Sequence, residues 1–360
     1  MTTVSDIIRE LEAIAPPELA DAQDRIGLQA GDPAAQVETI CVTVDVTDRV
    51  IEKAAECGCD IIVAHHPLIY NPLLSVAPTN PVQRRLMTLV KSDIALYIMH
   101  TNFDAAADGI NDALALRLGV VDCRPLTTQK TDGFIKVVVF VPESALEGVR
   151  NAMSEAGAGV IGRYSQCSFR SIGTGSFMPA AGANPYIGSA DKYEEVQEYR
   201  LEMICASSMR KAAVEAMLRA HPYEEAAYDI YELANDPVVY GYGRVGALAE
   251  PTSLRDFVNK VKTALGLEYA RVSGNLDKPV GRVALCGGSG SSQYREAVRA
   301  GADVYVTGDT KHHDILDADD LGLAIIDAGH FHTEKPGMVA LADRLGKLFG
   351  SRGIAVEYVE

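Results

Sequence analysis

From residue 38 onward the chain alternates short apolar runs with amphipathic ones, and that rhythm restricts it to α/β architecture with a largely parallel sheet. ETICVTVDV (38–46) reads as a buried strand and RVIEKAAECG (49–58) as a helix ended by Gly58. DIIVAHH (60–66) reads as a strand broken by Pro67, PVQRRLMTLVKSD (81–93) as a helix, IALYIMH (94–100) as a strand and NDALALRLG (111–119) as a helix ended by Gly119. The C-terminal third repeats the layout. GRVALCGG (281–288), DVYVTGD (303–309) and LGLAIIDAGH (321–330) read as strands, with SQYREAVRAG (292–301) and PGMVALADRLG (336–346) as helices. CGCDIIVAHH resembles AGADVYVTGD, and ALALRLG (113–119) resembles ALADRLG (340–346). Two similar βαβ halves of one domain are expected; generic βαβ composition is the plainer account of the same echoes.

The middle breaks this rhythm. IKVVVFVP (135–142), GVIGRYSQCSF (159–169), QEYRLEMICA (197–206) and AAYDIYEL (226–233) read as strands, with a Gly- and Ala-rich stretch at 173–190. One helix, capped by Ser144, follows the first strand, and another, capped by Ser207 or Ser208, precedes the last. That order predicts a ferredoxin-like α+β domain. We therefore expect residues 131–236 to be an insert between two halves of one α/β domain, 1–130 and 237–360, joined at Thr127 to Asp132 and Asn235 to Pro237. Insertion is tolerated where chain ends lie close together at a surface.

Charge narrows the partners. The net charge of −16, from 33 basic and 49 acidic residues, repels phosphate backbones, and no Lys/Arg cluster offsets it. Nucleic acid is not expected as a partner, and neither is a membrane, because no stretch approaches the roughly 20 apolar residues of a span. The N-terminus reads as an amphipathic helix, capped by Ser5, with Ile7, Ile8, Leu11 and Ile14 on one face and Pro16 and Pro17 as its stop. It lacks the basic start and apolar run of a leader. Seven scattered cysteines without a CxxC pair suit a reducing cytoplasm.

Three motifs carry chemistry, each after a strand, where open parallel sheets bind ligands. His65-His66-Pro67 ends one strand. Adjacent residues of a regular strand point opposite ways, so the pair serves two ions or one ring turns in where the strand ends. One ligand beside one packing histidine is the simpler alternative. Asp104 follows His100-Thr101-Asn102-Phe103 in a loop; Asn111 or Asp112 already offers a cap for the next helix, which leaves Asp104 without an obvious structural task. His330 to Glu334 precede a helix with Pro336 at its first position, and alternate residues His330, His332 and Glu334 share a side if that loop is extended. A plain N-cap at Thr333 or Glu334 is the structural alternative. Histidine and carboxylate without cysteine suit Zn²⁺, Fe²⁺ or Mn²⁺. Five such residues exceed the four of one zinc site and favour two ions with a bridging carboxylate, Asp104 or Glu334, an arrangement suited to hydrolysis. CGGSGSS (286–292) is neither GxGxxG nor a P-loop, so a tight turn is favoured over a phosphate cradle. HPYEE (221–225) reads as structural, with Pro222 ending a helix.

These motifs, with DRIGLQAGDP (24–33), AHHPLIY (64–70), HTNFDAAADGIND (100–112), TGDTKHHD (307–314) and DAGHFHTEKPG (327–337), resemble the GTP cyclohydrolase 1 type 2 homologues, or Nif-three-like proteins, through nearly the whole chain. The resemblance implies a dinuclear site on His65, His66, Asp104, His330 and Glu334, with His100 and His332 behind the ligands or facing substrate. It also implies a PII- or CutA-like insert, ring-shaped hexamers, and opening of the GTP imidazole ring. His100, His332 and Asp309 are the candidates for acid–base work. The chain departs from the family in having no tryptophan and in carrying His332 where relatives are often small. The reading to be tested is a metal-dependent hydrolase of a small substrate, a nucleotide among the candidates. The alternatives are a non-catalytic metal-handling protein and a regulatory binding module.

Overall fold

The structure, a computed structural model, describes residues 2–360. Helix α1 (Val4–Ile14) starts at Thr3, whose hydroxyl accepts the Asp6 N–H while the Asp6 carboxylate accepts the Thr3 N–H. This reciprocal box needs an acid three residues after the cap, which Thr3 has. Ser5, the expected cap, instead sits in the first turn and donates to the Pro33 carbonyl.

Strands β1 (Gly27–Ala30) and β2 (Thr39–Thr43) follow, then α2 (Asp48–Glu56), β3 (Ile61–Ala64), α3 (Pro81–Lys91) and β4 (Ala95–Ile98). A short α4 (Thr101–Ala105), α5 (Ile110–Leu118) and β5 (Val120–Pro125) complete the first half. Asp104 thus lies in a helical turn rather than a loop.

The chain divides into two compact units, one of residues 131–239 and one of everything before and after. The 131–239 unit runs β6 (Lys130–Val141), α6 (Leu146–Glu155), β7 (Phe169–Phe177), β8 (Glu194–Ala206), α7 (Arg210–Ala220) and β9 (Tyr228–Tyr240), in one sheet of order β7-β8-β6-β9. Val137, Val139, Leu201 and Met203 pack there against Val149, Met153 and Met217 of the two helices. Three local expectations fail. The strand expected at 159–169 lies at 169–177, on the Gly-rich stretch. Neither helix has a side-chain cap, because a 3-10 turn leads into each. Ser208 donates to Asp132 instead. Asn235 to Pro237 run inside β9.

The second half of the larger unit comprises β10 (Arg244–Ser253), α8 (Leu254–Leu265), β11 (Arg271–Val272), β12 (Pro279–Leu285), α9 (Tyr294–Arg299), β13 (Val304–Thr307), α10 (His312–Asp320), β14 (Ala324–Asp327), α11 (His330–Phe349) and β15 (Ala355–Tyr358). Two sheets result, β1-β4-β3-β2-β15 and β11-β14-β13-β12-β10-β5. The first holds four parallel strands, β15-β2-β3-β4, and the second three, β12-β13-β14, each with a short antiparallel strand, β1 or β11, on the edge of the last one. The sequence echo has a physical counterpart. Asp60, before β3, accepts the N–H groups of Glu38 and Thr39, and Asp303, before β13, accepts those of Gly281 and Arg282.

Both sheets are covered on both faces, as apolar parallel strands require. On the first, Val42, Val63 and Tyr97 meet Leu11 of α1 and Met338 and Leu345 of α11, while α2 and α3 cover the other side. On the second, Val283 and Val306 meet Leu114 of α5 and Phe257 of α8, with Tyr294 and Ala318 opposite. Arg244, 3% exposed, locks the halves together. It holds Asp112 through Nε at 2.6 Å and Nη2 at 2.7 Å and donates to the carbonyls of Ala106, Gly241 and Gly243. Asp112 therefore receives Arg244 and the Asp108 N–H instead of capping α5, whose N-cap is Gly109. Among the described residues no helix is long and apolar enough to cross a membrane.

Candidate metal centre

Strand β3 ends at Ala64, so His65 and His66 escape the alternation of a regular strand. Their rings lie 5.0 Å apart and both turn toward one point. His100 follows β4, and its ring lies 5.2 Å from that of His65. His330 opens α11 and Glu334 follows one turn later; the helix begins six residues before Pro336, the expected helix start. The i, i+4 spacing of a helix puts His330 and Glu334 on one face. His332, expected beside them from a period of two, is exposed elsewhere on the helix and lies outside the cluster. Pro336, inside the helix, has no N–H to offer the His332 carbonyl.

Each imidazole is fixed through its Nδ1. His65 meets the Met99 carbonyl at 2.8 Å, His66 the Asp45 carboxylate at 2.8 Å, His100 the Asp24 carboxylate at 2.8 Å and His330 the Asp309 carboxylate at 2.7 Å. A carbonyl or carboxylate only accepts, so each Nδ1 carries a proton, and Nε2 is the nitrogen that presents a lone pair when the ring is neutral. Such outer partners orient metal-binding histidines. Asp309 reaches His330 from the left-handed region, φ 50°, which aspartate tolerates better than most residues. Asp24 opens the DRIGLQAGDP motif and Asp45 falls near the end of the expected strand 38–46, and nothing in either stretch says that the aspartate meets an imidazole in three dimensions.

The Nε2 atoms converge with two carboxylates. His330 Nε2 lies 3.0 Å from Glu334 Oε1, His66 Nε2 lies 3.2 Å from Glu334 Oε2, and His65 Nε2 lies 3.5 Å from Glu334 Oε1 and 3.7 Å from Asp104 Oδ1. His66 and His330 meet Nε2 to Nε2 at 3.1 Å. Two nitrogens held at about 2.1 Å by one tetrahedral ion stand about 3.4 Å apart, so this spacing fits shared coordination. His65 Nε2, Asp104 Oδ1 and Glu334 Oε2 are buried without a hydrogen-bond partner, three orphans in one spot. Buried polar groups are normally satisfied. A cation inside the cluster would satisfy all three, and the donor set passes that test. Two overlapping triads bring ligand atoms within 4.8 Å of one another, His65-His66-His100 and His66-His330-Glu334.

Electrostatics follows the geometry. Burial opposes a charged His66, but the hydrogen bonds to Asp45 and Glu334 outweigh it and raise its pKa to about 10. Glu334 raises His330 to about 9. Burial works against the Glu334 carboxylate, yet the surrounding imidazoles hold its pKa well below the usual range. Burial lifts Asp104 to about 6. The site therefore favours positive charge.

The Gly-rich turn at 286–292 braces this cluster. The N–H groups of Gly287, Gly288 and Gly290 donate to Asn111, Thr333 and Thr307 and are committed to the protein. Gly288, at φ +66°, lies so close that a Cβ would collide with Glu334 Oε1. His221 of HPYEE closes α7, with Nε2 on the Phe140 carbonyl at 3.0 Å and Nδ1 accepting from Tyr223.

Fold and site together define an α/β protein with a histidine–carboxylate cluster able to hold metal. The chain matches the family described as Duf34/NIF3 (NGG1p interacting factor 3) over residues 2–360. It is 39% identical over 353 residues to a GTP cyclohydrolase 1 type 2 homolog of Halalkalibacterium halodurans, covering 98% of this chain and 95% of that one. It is 43% identical over 325 residues to the Bacillus subtilis GTP cyclohydrolase 1 type 2 homolog, covering 90% and 87%. The crystal structure of a Bacillus cereus protein related to NIF3 superposes with a TM-score of 0.86 at 39% identity, covering 100% of this chain and 97% of that one. The protein belongs to the DUF34/NIF3 family.

Proposed function

We propose that this protein binds two divalent metal ions, Zn²⁺, Fe²⁺ or Mn²⁺, and hydrolyses a small substrate, with purine nucleotides first among the candidates. His65, His66, Asp104, His330 and Glu334 are the ligands. The supporting observation is the convergence of three Nε2 atoms and two carboxylates at separations of 3.0 to 3.7 Å, with three of those atoms otherwise orphaned. Glu334 faces His65 and His330 with one oxygen and His66 with the other, the placement a bridging carboxylate needs. Bound ions would supply Lewis acidity and lower the pKa of water, which is what hydrolysis requires.

The chain's own groups divide the remaining work. The Met99 carbonyl, Asp45 and Asp309 hold three ligand rings in the tautomer that leaves Nε2 free. His100 is the one imidazole of the cluster not needed as a ligand; with Nδ1–H on Asp24, its Nε2 takes and returns a proton while the carboxylate stabilises the imidazolium. The name carried by the relatives supports a nucleotide ring as the bond to try first. We also read residues 131–239, with their β-α-β-β-α-β order, as an inserted ferredoxin-like domain.

The test incubates metal-loaded protein with GTP and a purine nucleotide panel and follows addition of water by mass spectrometry. Turnover that vanishes in Glu334→Gln and falls in His100→Ala with metal retained supports the reading. Metal bound in stoichiometric amount with no nucleotide hydrolysed would replace it with metal handling.

A further inference from the structure

The sheet of the 131–239 unit has two unlike faces. Along β8, Tyr199, Leu201, Met203 and Cys205 enter the core beneath α6 and α7, so Glu198 and Arg200 stand on the helix-free face. Beside them, β7 places Gly173 directly across from Glu198. A Cβ at Gly173 would meet open space, and one at Gly175 would collide with the Glu198 carboxylate. Gly173 leaves the floor open and Gly175 makes room for the Glu198 carboxylate, beside a cavity of about 700 Å³ roofed by residues 178–187 and 223–225. That volume falls within the range of about 300–1,000 Å³ typical of small-ligand sites.

The lining has a definite chemistry. Glu198 is 7% exposed, and among the described residues no basic side chain forms an ion pair with it. Burying a carboxylate without a counter-charge is costly. Arg200, the one guanidinium lining the cavity, is committed to Glu202 at 2.8 Å. The buried Tyr223 hydroxyl makes no full hydrogen bond but faces the Glu198 carboxylate, and burial and that carboxylate both raise its pKa. The Tyr223 ring lies 6.4 Å from Phe177 and 5.9 Å from Tyr186, tilted 54° and 42°, so the three rings form walls and not a stack. Glu224 accepts the Asn184 N–H and ties the roof down. Aromatic walls beside a buried carboxylate that has no ion-pair partner attract cations and repel phosphate or carboxylate ligands.

We propose that this cavity binds a small organic cation, a protonated amine with an apolar body. The ammonium sits at Glu198 and the Tyr223 hydroxyl, and the body lies against Phe177 and Tyr186. None of its lining residues is a proposed metal ligand.

The test uses the full-length protein at neutral pH and three probes of similar shape, 2-phenylethylammonium, 2-phenylethanol and 3-phenylpropionate, read by saturation-transfer NMR and calorimetry. The ammonium should bind at least about tenfold more tightly than the alcohol, and the carboxylate should not bind. Glu198→Gln should cost the ammonium about tenfold and leave the alcohol unchanged. Gly173→Val, which fills the cavity from the helix-free face, should abolish binding of both while circular dichroism and metal content stay as in the wild type. The proposal is overturned if the ammonium shows no binding at about 10 mM, if it binds no better than the alcohol, or if Gly173→Val binds it as the wild type does.

Discussion

Each imidazole of the centre depends on a partner that is not itself a proposed ligand. Removing such a partner frees the ring to rotate or change tautomer without removing a donor. Asp45→Asn and Asp309→Asn should each weaken metal binding by about 10–100-fold, measured by competition with a chromophoric chelator; an unchanged affinity would contradict the positioning role. The raised pKa values of His66, about 10, and His330, about 9, against an ordinary 6.5, give a pH signature. In the metal-free fold these rings hold protons more tightly than in the unfolded chain. The stability they contribute is fully present below about pH 6.5 and is lost as pH rises through 9 to 10. Metal competes with the same protons, so metal affinity should rise over the same interval. Thermal melts of metal-free protein and metal titrations across pH 6–10 should thus run in opposite directions. Parallel trends would remove the protonated imidazoles from the account.

At the scale of elements, two contacts hold the loops in place. The start of α5 crosses α11 at Gly337, where a Cβ would come within 2.6 Å of Ile110 Cδ1 and 2.7 Å of its Cα. Backbone cannot yield as a side-chain tip can, so Gly337→Ala should destabilise by about 1–3 kcal/mol in denaturant unfolding. Asp112→Ala leaves the buried Arg244 guanidinium without its carboxylate and should cost about 3–5 kcal/mol; a loss below about 1 kcal/mol would show that the surrounding carbonyls suffice. The same scale shows what could be read in advance. The buried strands β2, β3, β4, β12, β13 and β14 announce themselves through continuous apolar runs, and Gly58, Gly119 and Gly301 mark helix ends in the left-handed region. β7 could not be read that way, because an exposed edge strand with glycines at 173 and 175 carries no apolar alternation. The start of α11 was hidden by Pro336, which ordinarily marks a first turn. That misplacement put His332 with His330 and Glu334 by a period of two where a period of 3.6 applies. The proposed ligands could be chosen because their residue types are rare together after strands. Asp24 and Asp45 could not, because their histidine partners lie 76 and 21 residues further along the chain and no local pattern links them.

For the whole molecule, the two sheets bring residues 65, 66 and 104 together with 330 and 334, so the proposed metal site draws on both ends of the chain. A ligand that binds only the folded state adds about 2.7 kcal/mol at a free concentration about 100-fold above its Kd. Metal-loaded protein should therefore melt about 5–10 °C above chelator-treated protein by scanning calorimetry. An identical Tm would mean that the cluster holds no ion in solution. The most direct measurement is elemental analysis of protein purified without added metal and then equilibrated with Zn²⁺, Fe²⁺ or Mn²⁺ at neutral pH, alongside Glu334→Gln. A dinuclear centre bridged by Glu334 should take up two ions per chain in the wild type and lose both in the variant. A wild-type chain that takes up none, or a variant that keeps both, would contradict it.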